Sequence, residues 1–192
     1  MRVLLIAPPG GGKGTQATRI AGRYGITHIS SGDLFRRHVA ERTSEGEAVA
    51  GYVARGDLVP DDLALRMLRD PIVVANEAGG FVLDGFPRTV SQAEAAYEIA
   101  RQLGVTVHAV LSFELPRDVA LERLRGRGTD GGRADDTEEV IRHRLDVYAR
   151  NTTALIDFYR TRGILHTIDA RPPVHEVTSA VFTVLDEVDH PD

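Results

Sequence analysis

Cysteine is absent from the 192-residue chain, which excludes disulfides and thiolate-bound zinc and fits a reducing compartment. Long apolar runs are missing as well. The stretch Val3-Leu4-Leu5-Ile6 is stopped by Pro8-Pro9, too soon for the core of a signal peptide, and no segment has the length needed to span a bilayer. A cytoplasmic protein without a membrane partner is therefore expected. Formal net charge is −5 and no basic cluster outweighs its acidic neighbours, so no nucleic-acid surface is expected and the ligand should be small. The seven histidines lack metal-ligand spacing, and no internal repeat is present.

Lysine is almost absent too. The 23 basic side chains comprise 22 arginines and one lysine, Lys13. On most solvated surfaces the two residue types exchange freely, so a chain this biased towards arginine keeps a lysine where a compact, flexible ammonium is required. Lys13 stands in Gly10-Gly11-Gly12-Lys13-Gly14-Thr15, directly after the apolar run.

The rest of the chain alternates short apolar runs with helical periodicity. Strands are expected at 2–6, 27–30, 81–84, 107–113 and 164–168, and helices at 13–24, 32–42, 61–77, 90–103, 117–125, 137–161 and 174–187. Continuous apolar strands separated by helices describe a parallel sheet covered on both faces. The expected fold is α/β: a phosphate-loop NTPase-type, five-stranded parallel sheet in one domain, with length enough for its own core. Two segments fit this rhythm poorly. Residues 31–59 carry no strong strand and only a broken helical pattern at 45–53, and residues 126–136 are glycine-rich and charged, the makeup of an exposed loop. Both are expected to move.

The glycine-rich stretch fits a phosphate loop. Close glycines after a strand let successive N–H groups surround phosphate oxygens at a helix N-terminus, and Lys13 reaches the outer phosphates. Ala7 holds the position of the first glycine, tolerable if its φ stays negative and its methyl points away from the phosphates. Gly14 replaces the usual hydroxyl residue, leaving Thr15 or water to face a metal. Asp84, ending the strand at 81–84, is expected to hold Mg²⁺ through water from the crevice beside this loop; the other role open to it is helix N-cap. Arg88 follows the Gly85-Phe86-Pro87 turn, suited to aiming its guanidinium at a phosphate.

The chain resembles adenylate kinase. The likeness is carried by residues 8–16, by Ser30-Ser31-Gly32-Asp33-Leu34-Phe35-Arg36, by Gly56-Asp57-Leu58-Val59-Pro60-Asp61, by 84–88 with Gln92, and by Gly126-Arg127-Gly128 with Arg133-Ala134-Asp135-Asp136. The resemblance implies one kinase domain over 1–192, with a nucleoside-monophosphate-binding insert at 30–59 and a short lid at 126–136, acting as a monomer. It implies ATP held by Gly10, Gly11, Gly12, Lys13, Gly14, Thr15 and Arg127. AMP would be held by Ser31, Arg36, Asp57, Leu58, Val59, Gly85, Phe86, Pro87, Arg88 and Gln92, whose amide offers the donor and acceptor an adenine edge needs. Arg133 and Arg144 would reach the AMP phosphate and the transferring group, so the catalytic set is Lys13, Arg88, Arg127, Arg133 and Arg144. With Ile141, Leu145, Tyr148, Thr152, Leu155 and Tyr159 as the packed stripe of a helix, Arg144 falls nearer the stripe's edge than Arg142 and can lean into the crevice.

Three features depart from the family pattern. Ala7 is one. Thr129-Asp130-Gly131-Gly132 looks like an insertion into a lid already too short for the larger, zinc-bearing kind, so no structural zinc is expected. Arg171-Pro172-Pro173 stands where a glycine usually presents its carbonyl to the ATP adenine, a role left to the Pro172 carbonyl. The implied reaction is Mg²⁺-dependent ATP + AMP ⇌ 2 ADP. Alternatives are a sister kinase accepting CMP, UMP or GMP, and a phosphate-loop switch; the switch leaves Arg36, Arg88 and Arg144 without a task, and the chain has no Asn-Lys-x-Asp motif.

Overall fold

A computed structural model describes residues 1–129 and 137–189, with 127–129 described by backbone alone. Five strands, β1 (Arg2–Ile6), β2 (Thr27–Ser30), β3 (Phe81–Asp84), β4 (Ala109–Glu114) and β5 (Leu165–Asp169), form one sheet in the order β2-β3-β1-β4-β5. Every pairing is parallel. Eight described helices connect them: α1 (Lys13–Tyr24), α2 (Ser31–Glu41), α3 (Ser44–Arg55), α4 (Asp61–Glu77), α5 (Val90–Leu103), α6 (Arg117–Thr129), α7 (Glu138–Arg160) and α8 (Val174–Asp189). No described helix is long and apolar enough to cross a membrane.

Alternate residues of each strand serve opposite cores. Leu4 and Ile6 of β1 pack with Leu83, Val110, Leu68, Leu155 and Tyr159 on one face of the sheet. Val3 and Leu5 pack with Val82, Leu111, Phe113, Ile20, Val181 and Leu185 on the other. Both sets are buried, which is why these strands read as unbroken apolar runs instead of alternating ones. Burying one such side chain fully stabilises by about 1.5–3 kcal/mol. The sheet grows from β1 towards β3 and β2 on one side and towards β4 and β5 on the other. A crevice therefore opens at the carboxyl end of β1, where sheets of this kind receive ligands.

Beyond shifts of one or two residues at the ends of other elements, the structure departs from the expected elements in three places. The broken pattern at 45–53 is an intact helix, α3, capped by the Thr43 hydroxyl, which accepts from Gly46 N–H at 3.0 Å, and closed by Gly56 in the left-handed region at φ 74°. Its glycines suggested a break because each weakens an isolated helix, but packing supplies what propensity lacks: Val49 is fully buried, and Gly46 sits directly on the α2 backbone at His38. Helix α6 runs on to Thr129 instead of stopping near 125; Gly126 and Gly128 cost about 1 kcal/mol each there, too little to end it. Strand β4 covers Ala109–Glu114, shifted towards the carboxyl end because Glu114 is paired with Asp169 of β5.

Candidate active site

The loop between β1 and α1 turns on two glycines with positive φ, Gly10 at 81° and Gly12 at 79°, and Gly12 is the N-cap of α1. Gly11 N–H donates to the Pro8 carbonyl at 2.9 Å. Helix α6 seals the outside of the loop: a Cβ at Gly10 would meet the Ala120 carbonyl at 2.8 Å and Leu124 Cγ at 3.1 Å. Lys13, the first residue of α1, bends back so that Nζ donates to the carbonyls of Ala7 at 2.7 Å and Pro8 at 3.2 Å. The ammonium is thus held at the rim of the loop, beside the exposed first turn carrying Gly14 and Thr15.

Ala7 is buried and lies outside the left-handed region, and its methyl faces Gly11. A Cβ on Gly11 would stand 2.9 Å from Ala7 Cβ and 2.9 Å from the Pro8 carbonyl oxygen. The methyl at position 7 and the missing methyl at position 11 therefore belong together. Gly11→Ala is expected to distort the loop at a cost of about 1–3 kcal/mol, raising the ATP KM several-fold. Adding Ala7→Gly should recover part of that loss; an equal ATP KM in Gly11→Ala and the parent would contradict the packing argument.

A cleft of about 420 Å³ runs from this loop past the ends of β2 and β3 to α7. Gly10, Gly11, Gly12, Lys13, Gly14 and Thr15 form one end of its wall, and Arg36, Asp57, Leu58, Val59, Gly85, Phe86, Pro87, Arg88 and Gln92 form the other. Arg144 lines it from α7, as the helix stripe required: Ile141, Leu145, Thr152, Leu155 and Tyr159 are buried, and Arg142 lies outward, paired with Glu138 at 2.7 Å.

The far end is built on short, mutually fixed segments. Gly85 has φ 81°, and a Cβ there would stand 2.5 Å from Ser31 Oγ. Arg88 Nε donates to the Gly85 carbonyl at 2.7 Å, and Arg88 N–H donates to Gln92 Oε1 at 2.8 Å. Gln92 is buried at the cleft wall, so its amide oxygen is partly engaged by the turn that aims Arg88. Arg36 Nη2 donates to Asp33 Oδ1 at 2.5 Å and lies against Gly32. Ser31 Oγ is fully buried and, among the described residues, lacks a hydrogen-bond partner. Such an atom costs about 1–3 kcal/mol unless something meets it, and it lies beside the cleft-lining Ser30, Gly32 and Gly85.

Asp84 sits buried at the end of β3, its Oδ2 accepting from His28 Nε2 at 2.7 Å and its Oδ1 from Ser30 Oγ at 3.4 Å. It is not a helix cap; the N-cap of α5 is Thr89, whose Oγ1 accepts from Gln92 N–H at 3.2 Å. No group of three or more metal-ligating side chains occurs among the described residues. Asp84 and Thr15 both line the cleft, and a carboxylate with a hydroxyl supplies the oxygen donors that suit a hydrated Mg²⁺ shared with phosphates.

Two residues at or beside the cleft escaped the sequence reading. Arg123 lines the cleft from α6, four residues before Arg127, and its Nη2 donates to the Arg171 carbonyl at 3.1 Å. The one-turn spacing from Arg127 was the available signal. His28 escaped because it meets Asp84 across 56 residues. Pro172 does not line the cleft, and Arg171 beside it is held by Asp169, whose carboxyl that guanidinium lowers to about 2. Arg127 lies on α6 with only its backbone described, and Arg133 falls outside the described residues. Among the described residues the wall carries Lys13, Arg36, Arg88, Arg123 and Arg144 against Asp33, Asp57 and Asp84, a cationic cleft in a chain of net charge −5.

Comparison with known proteins agrees with this arrangement. The family model described as adenylate kinase matches residues 5–164. The chain is 44% identical over 185 residues to an adenylate kinase of Thermobifida fusca, covering 96% of this chain and 98% of that protein. It is 46% identical over 187 residues to one of Micrococcus luteus, covering 95% and 91%. An adenylate kinase of Mycobacterium tuberculosis is 45% identical over 185 residues, with 96% and 99% covered. With the phosphate loop, the cationic cleft and this family match in place, the chain belongs to the adenylate kinase family.

Proposed function

We propose that the cleft transfers the terminal phosphoryl group of ATP to AMP, giving two ADP, with ATP on the loop at 10–15 and AMP on the wall formed by Ser31, Arg36, 57–59, 85–88 and Gln92. The supporting observation is that one cleft joins a phosphate-binding loop to a second cationic wall. A single-nucleotide switch has no use for the second wall. Two anionic substrates repel each other, and catalysis of this transfer is mostly positioning and fixed positive charge around the moving group. Lys13 supplies that charge from the donor side, Arg88 and Arg36 from the acceptor side, and Arg144 from α7 between them. Arg123, with Arg127 and Arg133 further along, would complete the set. No side-chain nucleophile is required. Asp84 and Thr15 would hold Mg²⁺ through water; bound there with the nucleotide, the ion neutralises phosphate charge. Ser31 Oγ, lacking a partner among the described residues, and the buried Gln92 amide support adenine at the acceptor end.

The test is ADP formation from MgATP with AMP, CMP, UMP or GMP as acceptor and a control with none. Rapid ADP formation with AMP alone is expected. Preference for another acceptor would reassign the pocket, and slow hydrolysis independent of acceptor would overturn the transferase reading.

A further inference from the structure

The exit of α3 is fastened to α7 at two adjacent points. A Cβ on Gly56 would meet Arg144 Cγ at 2.8 Å, Arg144 Nε at 3.0 Å and Val140 Cγ1 at 3.0 Å, so Gly56 is the floor on which the Arg144 stem lies. The next residue, Asp57, has its carboxylate divided between two donors: Oδ2 accepts from Arg55 Nε at 2.8 Å and Oδ1 from His143 Nε2 at 2.7 Å. Arg55 belongs to the same short segment. His143 reaches in from 86 residues away and, with Val140 and Arg144, lies on one face of α7 at the spacing of a single helical turn. Asp57 and Arg144 line the cleft, whereas His143 does not. Arg55 and then His143 hold the Asp57 carboxyl below the usual carboxylate range, so the acceptor of this link is charged at neutral pH.

We infer that His143 is a positioning residue for the acceptor subsite: its bond to Asp57 holds the Gly56–Asp57 turn against α7, so that Arg144 crosses Gly56 into the cleft at a set height. The inference rests on the acceptor-wall reading given above. His143 touches no substrate in this role. The loop at 10–15 lies at the other end of the cleft, so among the two substrates AMP is the one whose binding the broken link changes. A bond this accessible, with side chains 39% and 32% exposed, is weak, which sets the expected change at about two- to five-fold.

The experiment is steady-state kinetics of the full chain with AMP varied at saturating MgATP, and MgATP varied at saturating AMP. His143→Ala, His143→Gln and Arg144→Ala are compared with the parent. The expected result is a two- to five-fold higher AMP KM in His143→Ala, an unchanged ATP KM, and partial recovery in His143→Gln, whose amide can still donate to Asp57. An unchanged AMP KM in His143→Ala, or equal changes in both KM values, overturns the positioning role. If Arg144→Ala still impairs the reaction in that case, the acceptor-wall reading survives; if Arg144→Ala also leaves AMP kinetics untouched, both fall.

Discussion

Replacing Lys13 with methionine is expected to lower turnover by about 10³-fold while moving the thermal unfolding midpoint little. The side chains have similar length, so the exchange removes the ammonium and leaves most of the apolar stem. Removing one fixed charge or donor from the place where charge develops costs about 10²–10³ in rate in comparable sites. The upper end is expected because the chain has no second lysine to take over and three of the cleft-lining arginines are bonded elsewhere: Arg88 to Gly85, Arg36 to Asp33 and Arg123 to Arg171. Stability is spared because the Ala7 carbonyl, which the ammonium now meets, belongs to a residue lining the open cleft and can take water instead, and the Pro8 carbonyl keeps its bond from Gly11 N–H. Turnover within tenfold of the parent in a coupled ADP assay would remove Lys13 from the catalytic set.

Gly46→Ala is expected to destabilise the protein by about 3 kcal/mol, whereas Gly51→Ala on the same helix should stabilise it slightly. Alanine is favoured over glycine by about 1 kcal/mol in a helix interior, so propensity alone predicts a gain at both positions. Packing separates them. A Cβ at Gly46 would collide with the His38 carbonyl and stand 2.8 Å from Val39 N, which are backbone atoms of α2 that no rotamer change can move. A Cβ at Gly51 would meet Arg55 Nη1 at 3.2 Å, the mobile end of an exposed side chain. Forcing α2 and α3 apart should exceed the propensity gain in the usual overpacking range. It should also raise the AMP KM, since Arg36 stands on α2 and α3 leads into 57–59. Urea unfolding of the two variants checks this; equal midpoints would show that the α2–α3 contact yields without strain.

How much was legible in the sequence depends on whether the deciding contact is local. Strands β1 and β3 were read to the residue because a strand buried on both faces is an unbroken apolar run. The phosphate loop was legible because strand, glycines, lysine and helix are contiguous. Arg144 was distinguished from Arg142 because the two differ in angle around one helix. Helix α3 read as broken because its support is α2, a partner that local pattern does not contain. Arg123 was overlooked as one more charge on a polar helix, and the bonds from His28 to Asp84 and from His143 to Asp57 join residues 56 and 86 positions apart. No window along the chain holds both members of either pair.

The folded-back Lys13 has a practical consequence for reagents. Its ε-amine is the only side-chain amine in the sequence, and it sits at the rim of the phosphate loop with two carbonyls as partners. An acylating or reductively alkylating dye that attacks lysine thus has one side-chain target, inside the cleft. The rate of labelling at Lys13, separated from that at the Met1 amine by peptide mapping, becomes a gauge of nucleotide occupancy, slowing as ATP fills the loop. The same chemistry used to attach the protein to an amine-coupling support would compete between the exposed Met1 amine and this cleft, and every molecule tethered through Lys13 would have its phosphate loop obstructed.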